Sequence, residues 1–339
     1  MSNKVLSHDN SFDVIRLLSA LLVLFSHHFA LSGFKEPSII GLSLGRIAVI
    51  IFFGISGYLI TQSAVRTNGF KGFIKKRALR IFPALFLCAF FIYFVLGFFL
   101  QPSMVLSFPT IKSFIRLILL RGADPMSMAD GFIYPNAING SLWTLFMEFS
   151  CYVILGGLVY FLGGRKSIYF VSLVFFLLLF VFSYVEVSSN FLPIGLERFI
   201  PFATSFIPFA TSFFCGSIIY LNNHYVLSRK VFLYFIASSF ILFFIFFNTR
   251  LISVLAYLYI PFFTILTGNL IKENIISGRF DYSYGIYIYA FPVQQIIINY
   301  TNFGFYKGMM LSIFITFILA SLSWNLVEKR FIYKNKSIP

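Results

Sequence analysis

Three side chains in this chain could do acid–base chemistry together: Arg16, His27 and Glu148. Arg16 and His27 share one apolar run, FDVIRLLSALLVLFSHHF at 12–29. Their eleven-residue separation is about 1100° of α-helix, within about 20° of three full turns, and about 16.5 Å of rise. One helix face would therefore carry a fixed cation at one depth and an imidazole about half a bilayer away. Ionisable groups inside a membrane span are costly, which makes them functional candidates by default. Glu148 stands in a second apolar run, SLWTLFMEFSCYVI. A carboxylate that hydrogen-bonds one imidazole nitrogen fixes the tautomer and leaves the other nitrogen as a base. A satisfied core histidine and a structural carboxylate would give the same pattern, and spacing does not choose between the two.

Further candidates lie between these runs. The segment RTNGFKGFIKKRALR holds Arg66, Lys71, Lys75, Lys76, Arg77 and Arg80. Arg77 and Arg80, three apart, would point to one side of a helix and could fork onto phosphates. Lys and Arg beside a span are also what cytoplasmic orientation requires, with no ligand involved. FFGISGYL, with Ser56 and Gly57, either lets helices pack closely or leaves room for a narrow ligand arm.

Composition fixes what must position these groups. The 339 residues are 59% hydrophobic and 11% charged, with a mean hydropathy of +0.89. A water-soluble domain of this size would expose too much apolar surface. The apolar runs are continuous rather than alternating, which excludes a β-barrel. The expectation is an all-α integral membrane protein of a single domain, 1–339, whose helices surround a central cavity. Net charge of +15 implies membrane orientation rather than nucleic acid. Cys88, Cys151 and Cys215 all lie in apolar runs without metal-ligand spacing, so no metal is expected. The first run lacks the flanks of a cleavable signal and is kept as a span.

Ten spans are expected, at about 11–30, 42–64, 82–100, from Gly140, 168–185, 199–221, 231–248, 251–271, 281–301 and 307–327. The third would open at Pro83, and Thr110 to Leu120 reads as a short interfacial helix. With both termini cytoplasmic, about 17 Lys and Arg fall inside and about 8 outside, with Arg16 at the inner edge. Arg16 then lies near the cytoplasm, and His27 and Glu148 could share a depth in the outer half. FIPFATS at 199–205 recurs at once at 206–212. Seven residues are nearly two turns, so the copy keeps its helical face. It reads as a tandem duplication whose second copy any helix-compatible apolar heptad could replace.

Six segments then carry a resemblance. RLLSALLVLFSHHF matches the Arg-x10-His pattern of the membrane-bound acyltransferase-3 family, which O-acylates bacterial surface glycans. FFGISGYLI, KKRALRIFPAL, SLWTLFMEFSCYVI and SYGIYIYAFPV resemble its second-span, arginine-loop, fourth-span and ninth-span motifs in the same order, and WNLVEKRF its closing segment. The resemblance covers nearly the whole chain. It implies His27 as the catalytic histidine and Arg16 as the motif arginine. Arg77 and Arg80 resemble the arginines associated with acyl-CoA, and Glu148 the fourth-span acid. Two positions depart from the pattern: Ala290 stands where many members have histidine, and Phe149 replaces a second acid. No esterase-like domain follows the tenth span, so the minimal form is implied.

The resulting expectation is an O-acetyltransferase of the bacterial inner membrane. It would move acetyl from cytoplasmic acetyl-CoA to a sugar hydroxyl of a lipid-linked or surface polysaccharide. Arg77 and Arg80, helped by Lys75 or Lys76, would hold the coenzyme's phosphates, and the Ser56 segment would admit its arm. His27, oriented by Glu148, would act as base or be transiently acylated. Trp143 would join the 101–138 segment as an acceptor platform. The alternative is a transporter or flippase for a lipid-linked glycan, which would consume no thioester and gives no reason for an Arg-x10-His helix.

Overall fold

The computed structural model describes residues 10–122, 127–135, 137–184, 200–246, 249–276 and 278–334. The chain folds as an all-helical bundle; the strands among the described residues are a two-residue hairpin, Ser38–Ile39 with Leu42–Ser43. The main helices are α1 (Phe12–Leu31), α2 (Leu44–Arg66), α3 (Phe70–Leu100), α4 (Phe108–Ile118), α5 (Trp143–Tyr160) and α6 (Arg165–Tyr184). They continue as α7 (Ile200–Leu221), α8 (Arg229–Phe246), α9 (Arg250–Leu270), α10 (Ser283–Tyr300) and α11 (Gly304–Ile332). The described part of each expected span is largely helical, and α4 overlaps the helix expected from Thr110 to Leu120. Seven of the described helices, α1, α2, α3, α5, α7, α9 and α11, are long and apolar enough to cross a membrane. Both terminal tails lie outside the described residues.

Two boundaries differ from the sequence reading. The basic segment is not a loop up to Pro83. After a glycine turn at Gly69 (φ +82°), helix starts at Phe70 and carries Pro83 in its interior. Proline lacks only its own amide donor, and such a vacancy is tolerated where neighbouring helices support the backbone. Lys76, Arg77 and Arg80 therefore ride on the first turns of a long helix. Near its other end the same helix loosens into a π-helical stretch at Phe91–Leu96.

The repeat is the second difference. Phe199 lies outside the described residues, but the second copy is packed into the core. Ile207, Phe209, Ala210, Thr211 and Ser212 are buried, whereas Thr204 of the first copy is exposed. Phe209 stacks on Phe53 at 5.2 Å, Thr211 Oγ1 donates to the Phe175 carbonyl at 3.2 Å, and Ser212 Oγ to that of Tyr257 at 2.9 Å. An arbitrary apolar heptad could not reproduce those contacts. Equal helical phase did not make the copies equivalent, because depth along α7 decides which neighbours each one meets.

The α2–α7 pair is the closest helix contact. A Cβ on Gly57 would lie 1.8 Å from the Phe213 carbonyl oxygen, and one on Gly216 would lie 2.1 Å from that of Gly54. Only glycine allows two backbones to meet so closely without a hydrophobic force between helices in lipid. The two readings of FFGISGYL thus divide between its residues. Gly57 packs against a helix, and Ser56 faces the interior.

Candidate functional site

A cavity of about 600 Å³ lies within the bundle. Arg16 of α1 lines it, with Ser56 of α2, Lys76, Arg77 and Arg80 of α3, and Glu148 and Tyr152 of α5. Along α2 it runs from Val49 to Ile60, eleven residues, or about 16.5 Å of rise. Its broad end is cationic and adjoins Phe331 and Ile332 near the end of α11. At its narrow end Tyr287 and Thr144 hydrogen-bond through their hydroxyls, and Tyr287 also donates to the Ser141 carbonyl at 2.8 Å. Phe52 packs edge-on to the Tyr287 ring at 5.9 Å.

The cations at the broad end are not equivalent. Arg16 Nη1 and Arg80 Nη2 both bond one oxygen of Asp281, the former at 2.9 Å. The other Asp281 oxygen accepts from the amide and hydroxyl of Ser283, at the start of α10. A single carboxylate therefore ties α1, α3 and α10 together. Arg77 makes no ion pair among the described residues: its Nη2 donates to Ser63 Oγ at 3.3 Å, and its buried Nε has no partner. Lys76 is exposed and reaches Thr67 Oγ1 at 3.4 Å. The free anion-binding capacity at this mouth thus belongs to Arg77 and Lys76 rather than to Arg80.

Glu148 is inside the cavity but is not hydrogen-bonded to His27. Its Oε1 accepts from Ser56 Oγ at 2.9 Å and from the Tyr152 hydroxyl. Ser56 is therefore a cavity residue bound to a carboxylate. His27 is not among the residues that line the cavity. Ser26, its neighbour, lies level with Gly45, where a Cβ would come 3.2 Å from Ser26 Oγ. Val49, the cavity's outermost α2 residue, is four residues further in, about 6 Å. His27 thus sits about one turn beyond the narrow end, edge-on to Phe291 at 5.4 Å. Its buried Nδ1 has no hydrogen-bond partner.

His28 has the opposite character. It is fully buried, and both ring nitrogens are engaged. The Gln294 amide nitrogen lies 3.2 Å from Nδ1 and can only donate, so Nδ1 accepts. Nε2 then carries the proton and donates to the Phe305 carbonyl at 3.0 Å. This histidine fastens α1 to α10 and to the start of α11.

Trp143 begins α5, 44% exposed, with its ring 6.0 Å from Phe209. Arg46 lies over that Phe209 ring and over Tyr257, at 5.6 and 5.8 Å from the two centroids. The described part of 101–138 docks on α10, where Gln295 donates to the carbonyls of Tyr134 and Ala137 at 2.8 and 2.7 Å. The two departures from the motif pattern also have places. Ala290 is buried in an apolar cluster with Ala20, Leu24 and Ala320. Phe149 packs edge-on to Phe82 at 5.6 Å.

The arrangement sets a cavity lined by cations about one helical turn from a buried imidazole whose Nδ1 has no hydrogen-bond partner. A family model described as an acyltransferase domain matches residues 9–327. An O-acetyl transferase of Shigella phage Sf6 is 39% identical over 332 residues, covering 96% of this chain and 97% of the relative. Nodulation protein 10 of Rhizobium leguminosarum bv. viciae is 32% identical over 164 residues, covering 44% of this chain and 43% of that protein. No solved structure matches.

Proposed function

We propose a specific reaction for this chain, which belongs to the acyltransferase-3 family and is an acyltransferase. It takes acetyl from cytoplasmic acetyl-CoA and places it on a sugar hydroxyl of a lipid-linked or surface polysaccharide at the bacterial inner membrane. The observation that carries this reading is the end-to-end likeness to a phage O-acetyl transferase, and a cavity with cationic residues in its lining supports it.

Arg77 and Lys76 hold the donor's phosphates at the mouth. The pantetheine arm extends past Ser56 and Glu148 towards Tyr287. The layer formed by Phe52, Tyr287 and Thr144 moves aside so that the thioester reaches His27. His27 takes the proton of the sugar hydroxyl, whose oxygen bonds the acyl carbon as the carbon–sulfur bond breaks. The coenzyme thiolate leaves with the proton that His27 returns. In a two-stage variant the acyl group rests briefly on the imidazole before the sugar takes it. Trp143 offers the acceptor an aromatic face. The experiment is mass spectrometry of surface glycan from cells with and without the gene, alongside coenzyme release by the purified protein. One acetyl of difference with matching thiol release is expected. Glycan translocated without thioester consumption would replace the enzyme with a transporter.

Ten spans with both termini cytoplasmic complete the proposal. Support comes from residues near alternate helix ends that meet at the same end of the bundle. Arg16, Arg80 and Asp281 meet at one end, and His28 and Phe305 at the other. A cysteine at exposed Asn68 should react with an impermeant thiol reagent only once the inner face is opened. One at exposed Ser127 should react from outside. The reverse labelling would overturn the topology.

A further inference from the structure

A carboxylate near a basic imidazole would stabilise its charged form, and Glu148 is engaged elsewhere, with Ser56 and Tyr152. Glu36 lies instead in the turn that follows α1. Ser26, the residue before His27, donates its hydroxyl to Glu36 Oε2 and so pins the carboxylate to the same turn of α1. Gly45 makes room for this pair: a Cβ there would stand 3.2 Å from Ser26 Oγ and 3.5 Å from Glu36 Oε2. Glu36 makes no ion pair among the described residues, although its neighbour in sequence is Lys35. It is the charged group that acts electrostatically on His27, whose buried Nδ1 has no partner.

We propose that Glu36, anchored by Ser26, is the positioning residue for His27: its carboxylate, which makes no hydrogen bond to the ring in the structure, acts through its charge to favour the proton on Nδ1 and leaves Nε2 to take the sugar hydroxyl's proton. This rests on the acetyl-transfer reading above. The carboxylate does not touch the sugar or the thioester. It stabilises the imidazolium that exists between proton uptake and proton return. The position of Glu36 also suits the division of labour, since the donor cavity and its carboxylate, Glu148, lie on the other side of the Tyr287 layer.

The test uses full-length protein in detergent micelles and in membranes. Nitrogen-15 spectra of histidine-labelled protein separate Nδ1–H from Nε2–H tautomers, and His27→Ala identifies the His27 signal. Wild-type His27 should be Nδ1–H and His28 Nε2–H. Glu36→Gln should shift His27 towards a mixture and leave His28 unchanged. With acetyl-CoA and glycan from gene-deleted cells as the probe acceptor, Glu36→Gln should lower kcat by about 10- to 100-fold, the usual scale for loss of a group that orients a histidine. The KM for acetyl-CoA should stay near wild type, and Glu36→Asp should recover part of the rate. If Glu36→Gln does not give folded protein, Ser26→Ala carries the same prediction with a smaller drop. An unchanged His27 tautomer in a folded variant would overturn the proposal. If wild-type protein moved no acetyl at all, the reaction above would fail, while the spectra would still decide whether Glu36 governs His27.

Discussion

Replacing His27 by alanine is expected to lower kcat by about 10² or more, the scale of general-base loss, while the KM for acetyl-CoA stays near wild type. The two adjacent histidines make this a sharp experiment. His27 has a free ring nitrogen, so its removal leaves no hydrogen-bonded partner stranded there. His28 is fully buried with both nitrogens bonded, so His28→Ala strands Gln294 and the Phe305 carbonyl and opens a void. Each stranded buried group costs about 1–3 kcal/mol. His28→Ala should therefore reduce the yield and thermal stability of folded protein, and the molecules that do fold should turn over at close to the normal rate. Activity per folded molecule, measured beside unfolding temperature in detergent, separates the two. Normal turnover in His27→Ala with loss of turnover in folded His28→Ala would show that the wrong imidazole has been assigned the chemistry.

The helices that are long and apolar enough to cross a membrane were legible because lipid leaves a span no choice but to bond its own backbone, so continuous hydropathy marks them. The pairing of Arg77 with Arg80 on one helix side was legible for a similar reason: a three-residue interval fixes a shared face. Which partner each charge takes was not legible, because it depends on contacts far apart in sequence. Asp281 lies 265 residues from Arg16 and 201 from Arg80, and no local pattern joins them. A signal was nevertheless present. With 11 acidic residues in the chain, an aspartate two residues before a span is rare enough to mark. Glu36 carried a weaker signal, being an acid in a short turn beside the histidine helix. Glu148 and His27 could have shared a depth, as spacing allowed. Depth is one coordinate only, and the rotation of α5 directs Glu148 to Ser56 and Tyr152.

Asp281→Asn is expected to destabilise the fold far more than any single change among the cavity's cations. The substitution keeps the shape and removes the charge that separates two guanidinium groups. Arg16, Asp281 and Arg80 are 21%, 14% and 23% exposed, so water screens them poorly. Removing one member of such a buried pair costs about 3–5 kcal/mol, because the remaining charge is left uncompensated. Here two like charges are left facing each other, and α1, α3 and α10 lose their common tie. By contrast, Arg77→Ala removes no ion pair among the described residues and should leave unfolding temperature close to wild type. Its effect should appear in the KM for acetyl-CoA, raised by about 10- to 100-fold if one charge-assisted bond of about 1.5–3 kcal/mol is lost, with kcat little changed. Arg80→Ala should follow Asp281→Asn in stability rather than Arg77→Ala in KM. The measurements are thermal unfolding in detergent and initial rates at varied acetyl-CoA. A stable Asp281→Asn protein with only a raised donor KM would mean that Arg16 and Arg80 are donor ligands, not a clamp. A stable Arg77→Ala protein with unchanged KM would move the phosphate site away from the one arginine the cavity leaves free of an ion pair.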